Sequence, residues 1–170
     1  KDTVNLVKEW NIITRALWNK NSVIVPQKFT NIFRQIAIQE NRFDFTGFGQ
    51  NDSQEFLQFI LEIMHNTLAK TVKMTLSGTP KNDLDKLAIK ALKHWVEFFK
   101  EDYSIIIDIF YGQYMSKLLT IKNSPGNTNA KVSYSFDPFS SLSLEIASEA
   151  TTIYDCLDSL AIISNDTTVC

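Results

Sequence analysis

The sequence predicts an α+β fold, with helices first and antiparallel strands after them, on three observations. Apolar residues recur at helical spacing in four stretches before residue 109. Beyond Phe110 the period falls to two, among strand-forming residues that flank a Pro/Gly/Asn turn. No internal repeat or low-complexity segment interrupts this order.

The first helix is expected from Thr3 to Trp18, where Val4, Val7, Trp10, Ile13 and Leu17 form one face and Asn19-Lys20-Asn21-Ser22 ends the pattern. Pro26 opens a shorter second helix carrying Phe29, Ile32, Phe33 and Ile36, since proline is tolerated in a first turn. Phe43 to Gly49 reads as an aromatic and glycine loop. A third helix starts at Asp52, an N-cap residue with Glu55 three positions on, and continues through Phe56, Leu57, Ile60, Ile63, Met64 and Leu68. After the turn cluster Ser77-Gly78-Thr79-Pro80, Asp83 to Lys100 is amphipathic through Leu84, Leu87, Ala88, Ala91, Leu92 and Trp95. Asp102 to Ile109 suggests a short fifth helix. Tyr114 to Ile121 and Lys131 to Phe136 then read as a hairpin around the turn Asn123 to Asn129. A third strand is expected over Leu142 to Ile146, and a short helix with a threonine N-cap over Thr151 to Leu160.

A chain of 170 residues with 44% hydrophobic content can bury one core of ordinary size, so one globular unit is expected. The net charge of −2, with Lys and Arg scattered, offers no electrostatic footprint for nucleic acid or an anionic membrane, and neither partner is expected. No apolar run approaches the roughly 20 residues that span a bilayer, and Lys1-Asp2-Thr3 does not open a signal peptide. The expected location is intracellular, in cytoplasm or nucleus. The absence of an initial Met and the terminal Cys170 suggest that both ends are cuts through a longer protein.

Cys156 and Cys170 cannot make a four-ligand zinc site, and their spacing matches no redox motif; both are expected to be reduced, partly buried thiols. A cysteine nucleophile needs a base, and the two histidines, His65 and His94, each fall on a predicted helix face. These residues favour a structural reading over a self-contained Cys/His enzyme, and no metal ligand or cofactor is expected within this chain.

The most informative stretch is Gly47-Phe48-Gly49-Gln50-Asn51-Asp52-Ser53-Gln54-Glu55-Phe56. Asp52 and Glu55 can form a capping box in which both acids satisfy orphan backbone N–H groups. They can also recognise a basic segment, because a capping carboxylate retains outer lone pairs for a guanidinium. The two readings are compatible. Two further stretches join elements through turns: Asp108-Ile109-Phe110-Tyr111-Gly112-Gln113 and Phe136-Asp137-Pro138-Phe139-Ser140-Ser141-Leu142-Ser143-Leu144.

Taken in order, these stretches resemble the ubiquitin-specific proteases, the papain-like cysteine deubiquitinases. Gln50-Asn51-Asp52-Ser53-Gln54-Glu55-Phe56 is similar to the family's glutamine, aspartate and glutamate motif, and Asp108 to Gln113 is similar to its aspartate, leucine, phenylalanine, glycine, glutamine motif. Phe136 to Ile146 resembles the segment after the fingers hairpin, and Thr152 to Leu157 the short helix beyond it. The resemblance implies a hand-like fold, with residues 1–109 in the helical thumb and 110–170 starting the fingers and palm strands. It implies that Gln50, Asp52 and Glu55 hold the extended, arginine-bearing C-terminal tail of ubiquitin. It marks Phe110, Gly112, Gln113 and Phe139 as further ubiquitin-contacting positions.

For the parent protein the resemblance implies attack by a Cys thiolate on the carbonyl of ubiquitin's terminal glycine, with a His carrying the proton and an Asp or Asn orienting it. The Cys box is expected before Lys1 and the His box after Cys170, so this segment alone is expected to be inactive. Many family members carry half of a zinc site on the outgoing finger strand, where this chain has Thr120 and Asn123; a metal-free finger is expected. The turn Asn123 to Asn129 also looks longer than a zinc knuckle needs. The alternative function is a non-catalytic ubiquitin-binding pseudoenzyme or interaction module of the same fold; a helical scaffold unrelated to ubiquitin would require the ordered motifs to be coincidence.

Overall fold

A computed structural model describes residues 2–19, 23–124, 127–146, 148–149 and 151–160. Among the described residues, five helices precede a two-stranded antiparallel ribbon, and a sixth follows it. They are α1 (Asp2–Asn19), α2 (Gln27–Gln39), α3 (Ser53–Leu68), α4 (Asp83–Phe99), α5 (Ile105–Phe110), β1 (Gly112–Ser124), β2 (Asn127–Phe139) and α6 (Ile153–Leu160). A single 3-10 turn, Phe43–Thr46, interrupts the loop between α2 and α3.

The core gathers where α1, α2, α3 and α5 meet. Leu6 of α1, Phe33, Ile36 and Ala37 of α2, Phe45 of the 3-10 turn, Phe59, Ile60, Ile63 and Met64 of α3, and Ile106 of α5 form one buried cluster. Helical spacing places Phe33, Ile36 and Ala37 on one face, as do Phe59, Ile60, Ile63 and Met64. Phe33 is the hub: its ring centroid lies 5.2 Å from Phe56, 5.7 Å from Phe59 and 6.1 Å from Phe45, in edge-to-face contacts suited to aromatic quadrupoles.

Helix ends follow the local chemistry. The α2 helix stops because Asn41 turns left-handed at φ 58°, a conformation asparagine tolerates. The Asn41 N–H then donates to the Ile38 carbonyl at 3.2 Å and the Arg42 N–H to the Ala37 carbonyl at 2.8 Å, the two bonds of a Schellman motif. Asn82 caps α4 by accepting from the Asp85 N–H at 2.8 Å. The α5 helix starts later than predicted from sequence, at Ile105, because Ser104 accepts from the Ile106 N–H at 3.2 Å and fixes the start there. At α6 the cap is Thr152, whose hydroxyl accepts from the Asp155 N–H at 3.3 Å. Asp155 answers by accepting from the Thr151 and Thr152 N–H groups at 2.9 and 2.8 Å, which holds its carboxyl below the usual value.

The ribbon differs from the sequence expectation in three ways. Pairing continues past the expected turn, through Asn123↔Thr128 to Ser124↔Asn127, so the connection is short rather than long. The β2 strand does not give way to a turn after Phe136 but runs on through Asp137↔Tyr114 and Pro138↔Gln113 to Phe139↔Gly112. A proline fits there because each strand of a two-stranded ribbon has a free edge. The predicted third strand, Leu142 to Ile146, is irregular: among the described residues its alternating pattern finds no ladder partner.

The α4 helix meets the rest of the fold mainly at the ribbon base. Gln113 donates from Nε2 to the Ala91 carbonyl at 3.2 Å, and the His94 ring lies 5.4 Å from Phe136. Much of the remaining apolar face of α4, including Leu84 and Phe98, is exposed. A backbone pairing of Lys70 with Tyr103 ties the chain after α3 to the chain before α5.

Candidate functional site

The start of α3 carries the first group of predicted site residues. Asp52 is its N-cap: one carboxylate oxygen, Oδ1, accepts from the Gln54 N–H at 2.6 Å and the Glu55 N–H at 3.1 Å. Among the described residues its second oxygen, Oδ2, receives no donor. Glu55 does not complete the reciprocal capping box that its spacing suggests. Its Oε2 instead accepts from Nη2 of Arg42 at 3.2 Å.

Arg42 is held from several sides. Its Nε and Nη2 donate to the two oxygens of Asp44 at 3.2 and 2.9 Å. Its guanidinium carbon lies 4.6 Å from the Phe45 ring centroid and 5.2 Å from that of Phe59. The Arg42 hydrogen bond holds the Asp44 carboxyl below its ordinary value, and the same bond raises Arg42.

The two acids open onto different depressions. Asp52 lines a cleft of about 300 Å³ with Thr30, Phe33, Arg34, Phe45, Gly47 and Phe56. Glu55 lines a separate hollow of about 700 Å³ with Arg42, Asp44, Gln58, Phe59 and Glu62. Gln50 is exposed and borders neither. Phe48, on the glycine loop beside the Asp52 cleft, is almost fully exposed, with Arg34 5.0 Å above its ring.

The second group lies at the ribbon base. Phe110 ends α5 with its ring part-exposed. Gly112 stands opposite Phe139, whose ring covers it. The Gln113 amide is engaged with α4, which makes it a tether between elements. Phe139 lines a cleft of about 620 Å³ together with His65, Asp102, Tyr111 and Tyr114. The predicted site residues thus fall into two groups, one at the α3 start and one at the ribbon base, and no described cavity contains both.

His65 does more than occupy a helix face. Its Nδ1 lies 2.8 Å from Ser104 Oγ and its Nε2 3.3 Å from Asp102 Oδ2, so it joins the end of α3 to the loop before α5. A proton on Nε2 satisfies the whole set: Ser104 accepts from Ile106 and donates to Nδ1, while Nε2 donates to Asp102. The sequence of types is that of a nucleophile, base and acid, but the Ser104 side chain is buried at 3% exposure and already serves as a cap, so the arrangement is structural. His94 is exposed and packs against Phe136. Cys156 is a buried free thiol, and Cys170 lies outside the described residues. Among the described residues no cluster of His, Cys, Asp and Glu is arranged to hold a metal ion.

Sequence reasoning missed Arg42, Asp102 and Ser104. The available signal for Arg42 was Asn41, a residue able to turn left-handed after a helix and so fold the next side chain back toward the core.

Comparison with known proteins points to one family. A family profile described as ubiquitin carboxyl-terminal hydrolase matches residues 1–135. The chain is 33% identical over 129 residues to ubiquitin carboxyl-terminal hydrolase 19 of Rattus norvegicus, covering 75% of this chain and 9% of that protein. It is 31% identical over 159 residues to ubiquitin carboxyl-terminal hydrolase 2 of Homo sapiens, covering 89% of this chain and 24% of that protein. Against ubiquitin carboxyl-terminal hydrolase 32 of Drosophila melanogaster it is 32% identical over 145 residues, 85% of this chain and 7% of the relative. The chain therefore spans a quarter or less of the length of these relatives. With the profile covering most of its length and motifs in matching order, the chain belongs to the ubiquitin carboxyl-terminal hydrolase family.

Proposed function

We propose that the full-length protein is a thiol-dependent deubiquitinase that cleaves the bond after the C-terminal glycine of ubiquitin, and that this segment binds ubiquitin and its tail. The observation that carries the reading is Asp52: its cap is satisfied through one oxygen, which leaves the other beside an exposed cleft to accept from an arginine. Gln50 and Glu55 flank it, and Phe110, Gly112, Gln113 and Phe139 form a second contact region. The partner is ubiquitin or a ubiquitin conjugate inside the cell, in cytoplasm or nucleus. Among the described residues no helix is long and apolar enough to cross a membrane.

The contribution of this segment is alignment. A thiolate elsewhere in the protein attacks the terminal glycine carbonyl, a histidine moves the proton, and holding the tail extended converts that attack into a near-unimolecular step. The segment alone is inactive in this reading.

Asp52→Asn tests it, because asparagine caps a helix as well as aspartate but carries no charge. In the full-length protein, hydrolysis of a ubiquitin conjugate is expected to fall about tenfold or more, as for loss of a charge-assisted hydrogen bond, with the melting temperature unchanged. Unchanged turnover would return Asp52 to a capping role alone. Ubiquitin binding without turnover in the unmutated protein would instead favour a pseudoenzyme of the same fold.

A further inference from the structure

We infer that Arg42 is a built-in occupant of the Glu55 carboxylate, one that reserves this acid and leaves Asp52 as the principal anchor for an incoming arginine. This rests on the tail-holding reading above and refines which acid performs it.

Arg42 is of the same chemical type as the side chain that the site is proposed to receive. The Schellman turn at Asn41 returns the chain toward α3, and the Arg42 guanidinium then lies over Phe45 and Phe59. Asp44 grips it by two nitrogens, and the remaining contact of Nη2 is to Glu55 Oε2 at 3.2 Å. A guanidinium delivered within the same fold is present at high effective concentration, so an external arginine competes for Glu55 at a disadvantage. Glu55 keeps a free Oε1 and can still accept one bond, but the two-oxygen fork geometry that makes arginine recognition strong is blocked. Asp52 meets no such competitor: the basic residue in its cleft, Arg34, is directed over Phe48. The chain thus divides two acids of one helical turn into an open one and an occupied one.

The test is ubiquitin affinity of the full-length protein, with Asp52→Asn, Glu55→Gln and Arg42→Met measured side by side. Glu55→Gln is expected to change the Kd less than about twofold, while Asp52→Asn weakens it about tenfold. Arg42→Met removes the guanidinium, the group that lies over Phe45 and Phe59, and puts an unbranched apolar side chain in its place. It is expected to tighten binding about two- to fivefold, the scale of an exposed ion pair, and the gain should vanish when Glu55→Gln is added. If Arg42→Met lowers the melting temperature, Arg42→Gln, which retains an amide donor for Asp44, takes its place with the same expected sign. Equal losses in Glu55→Gln and Asp52→Asn, or unchanged or weaker binding on removing Arg42, would overturn the inference while leaving the tail-holding reading intact. If Asp52→Asn and Glu55→Gln are both silent, it is the tail-holding reading itself that fails.

Discussion

Replacing Gly112 by alanine is expected to damage the ribbon base through a single neighbour, the Phe139 ring. A methyl group built at Gly112 would sit 2.6 Å from Phe139 Cζ, 3.0 Å from Cε1 and 3.3 Å from Cε2. Carbon atoms pack at about 3.5–4.0 Å, so the ring has to retreat by roughly 1 Å. The backbone imposes no further cost, since among the described glycines positive φ occurs at Gly78 and not here. An aromatic ring laid over a glycine opposite it is a recognised way to stabilise such a strand pair, and alanine disrupts that packing. Overpacking of this kind costs about 1–3 kcal/mol. In a Phe139→Ala background the obstruction is gone, and Gly112→Ala should become neutral or stabilise by up to about 1 kcal/mol through reduced freedom of the unfolded chain. The assay is amide hydrogen exchange along residues 112–116 and 135–139 in the four proteins of the double-mutant cycle, which reads local opening rather than global melting. Equal costs of Gly112→Ala with and without Phe139 would refute the packing argument. Because Phe139 is also a proposed ubiquitin contact, the displaced ring should weaken ubiquitin binding in the single variant.

Two further outcomes follow from the helix starts. Ser104→Ala removes the cap of α5 and the hydroxyl facing His65, so a loss of about 1–3 kcal/mol is expected in chemical denaturation, with Ser104→Thr markedly milder; similar losses for both would argue against the hydrogen-bond account. Asp155 is held below the ordinary carboxylate value of about 3.8, first by the Thr151 N–H, so its support of α6 is complete above that pH and disappears as pH falls through the lower folded value. Exchange protection of α6 amides should therefore drop in acid below about pH 4 in the native sequence and lose that dependence in Asp155→Asn; identical acid profiles would refute the assignment.

The helices were legible because their signals are local. Phe33, Ile36 and Ala37 lie one turn apart in sequence as they do in space, and the Asp52 cap needs nothing beyond the next three residues. The ribbon was legible in kind, since Val132, Tyr134 and Phe136 alternate, but its limits depended on cross-strand pairing that composition does not encode. Leu142, Leu144 and Ile146 alternate equally well and form no strand, because alternation marks which face could be buried and a ladder still needs a second backbone. At the candidate site the positions of Asp52 and Glu55 were readable and their partners were not. The partner of Glu55 is Arg42, brought in by a turn 13 residues upstream, and sequence spacing on α3 cannot register it.

The paired ribbon also acts as a lever. Each strand has 13 residues, which at about 3.4 Å per residue gives an arm of roughly 40 Å beyond its base. On an arm of that length a pivot of ten degrees at the base carries the far end about 7 Å, by the same rise per residue. The aim of the far end is therefore set where the ribbon is gripped, by the bond from Gln113 to α4 and the seating of Phe136 against His94. A substitution at either grip can change what the distant end reaches without altering a single residue there.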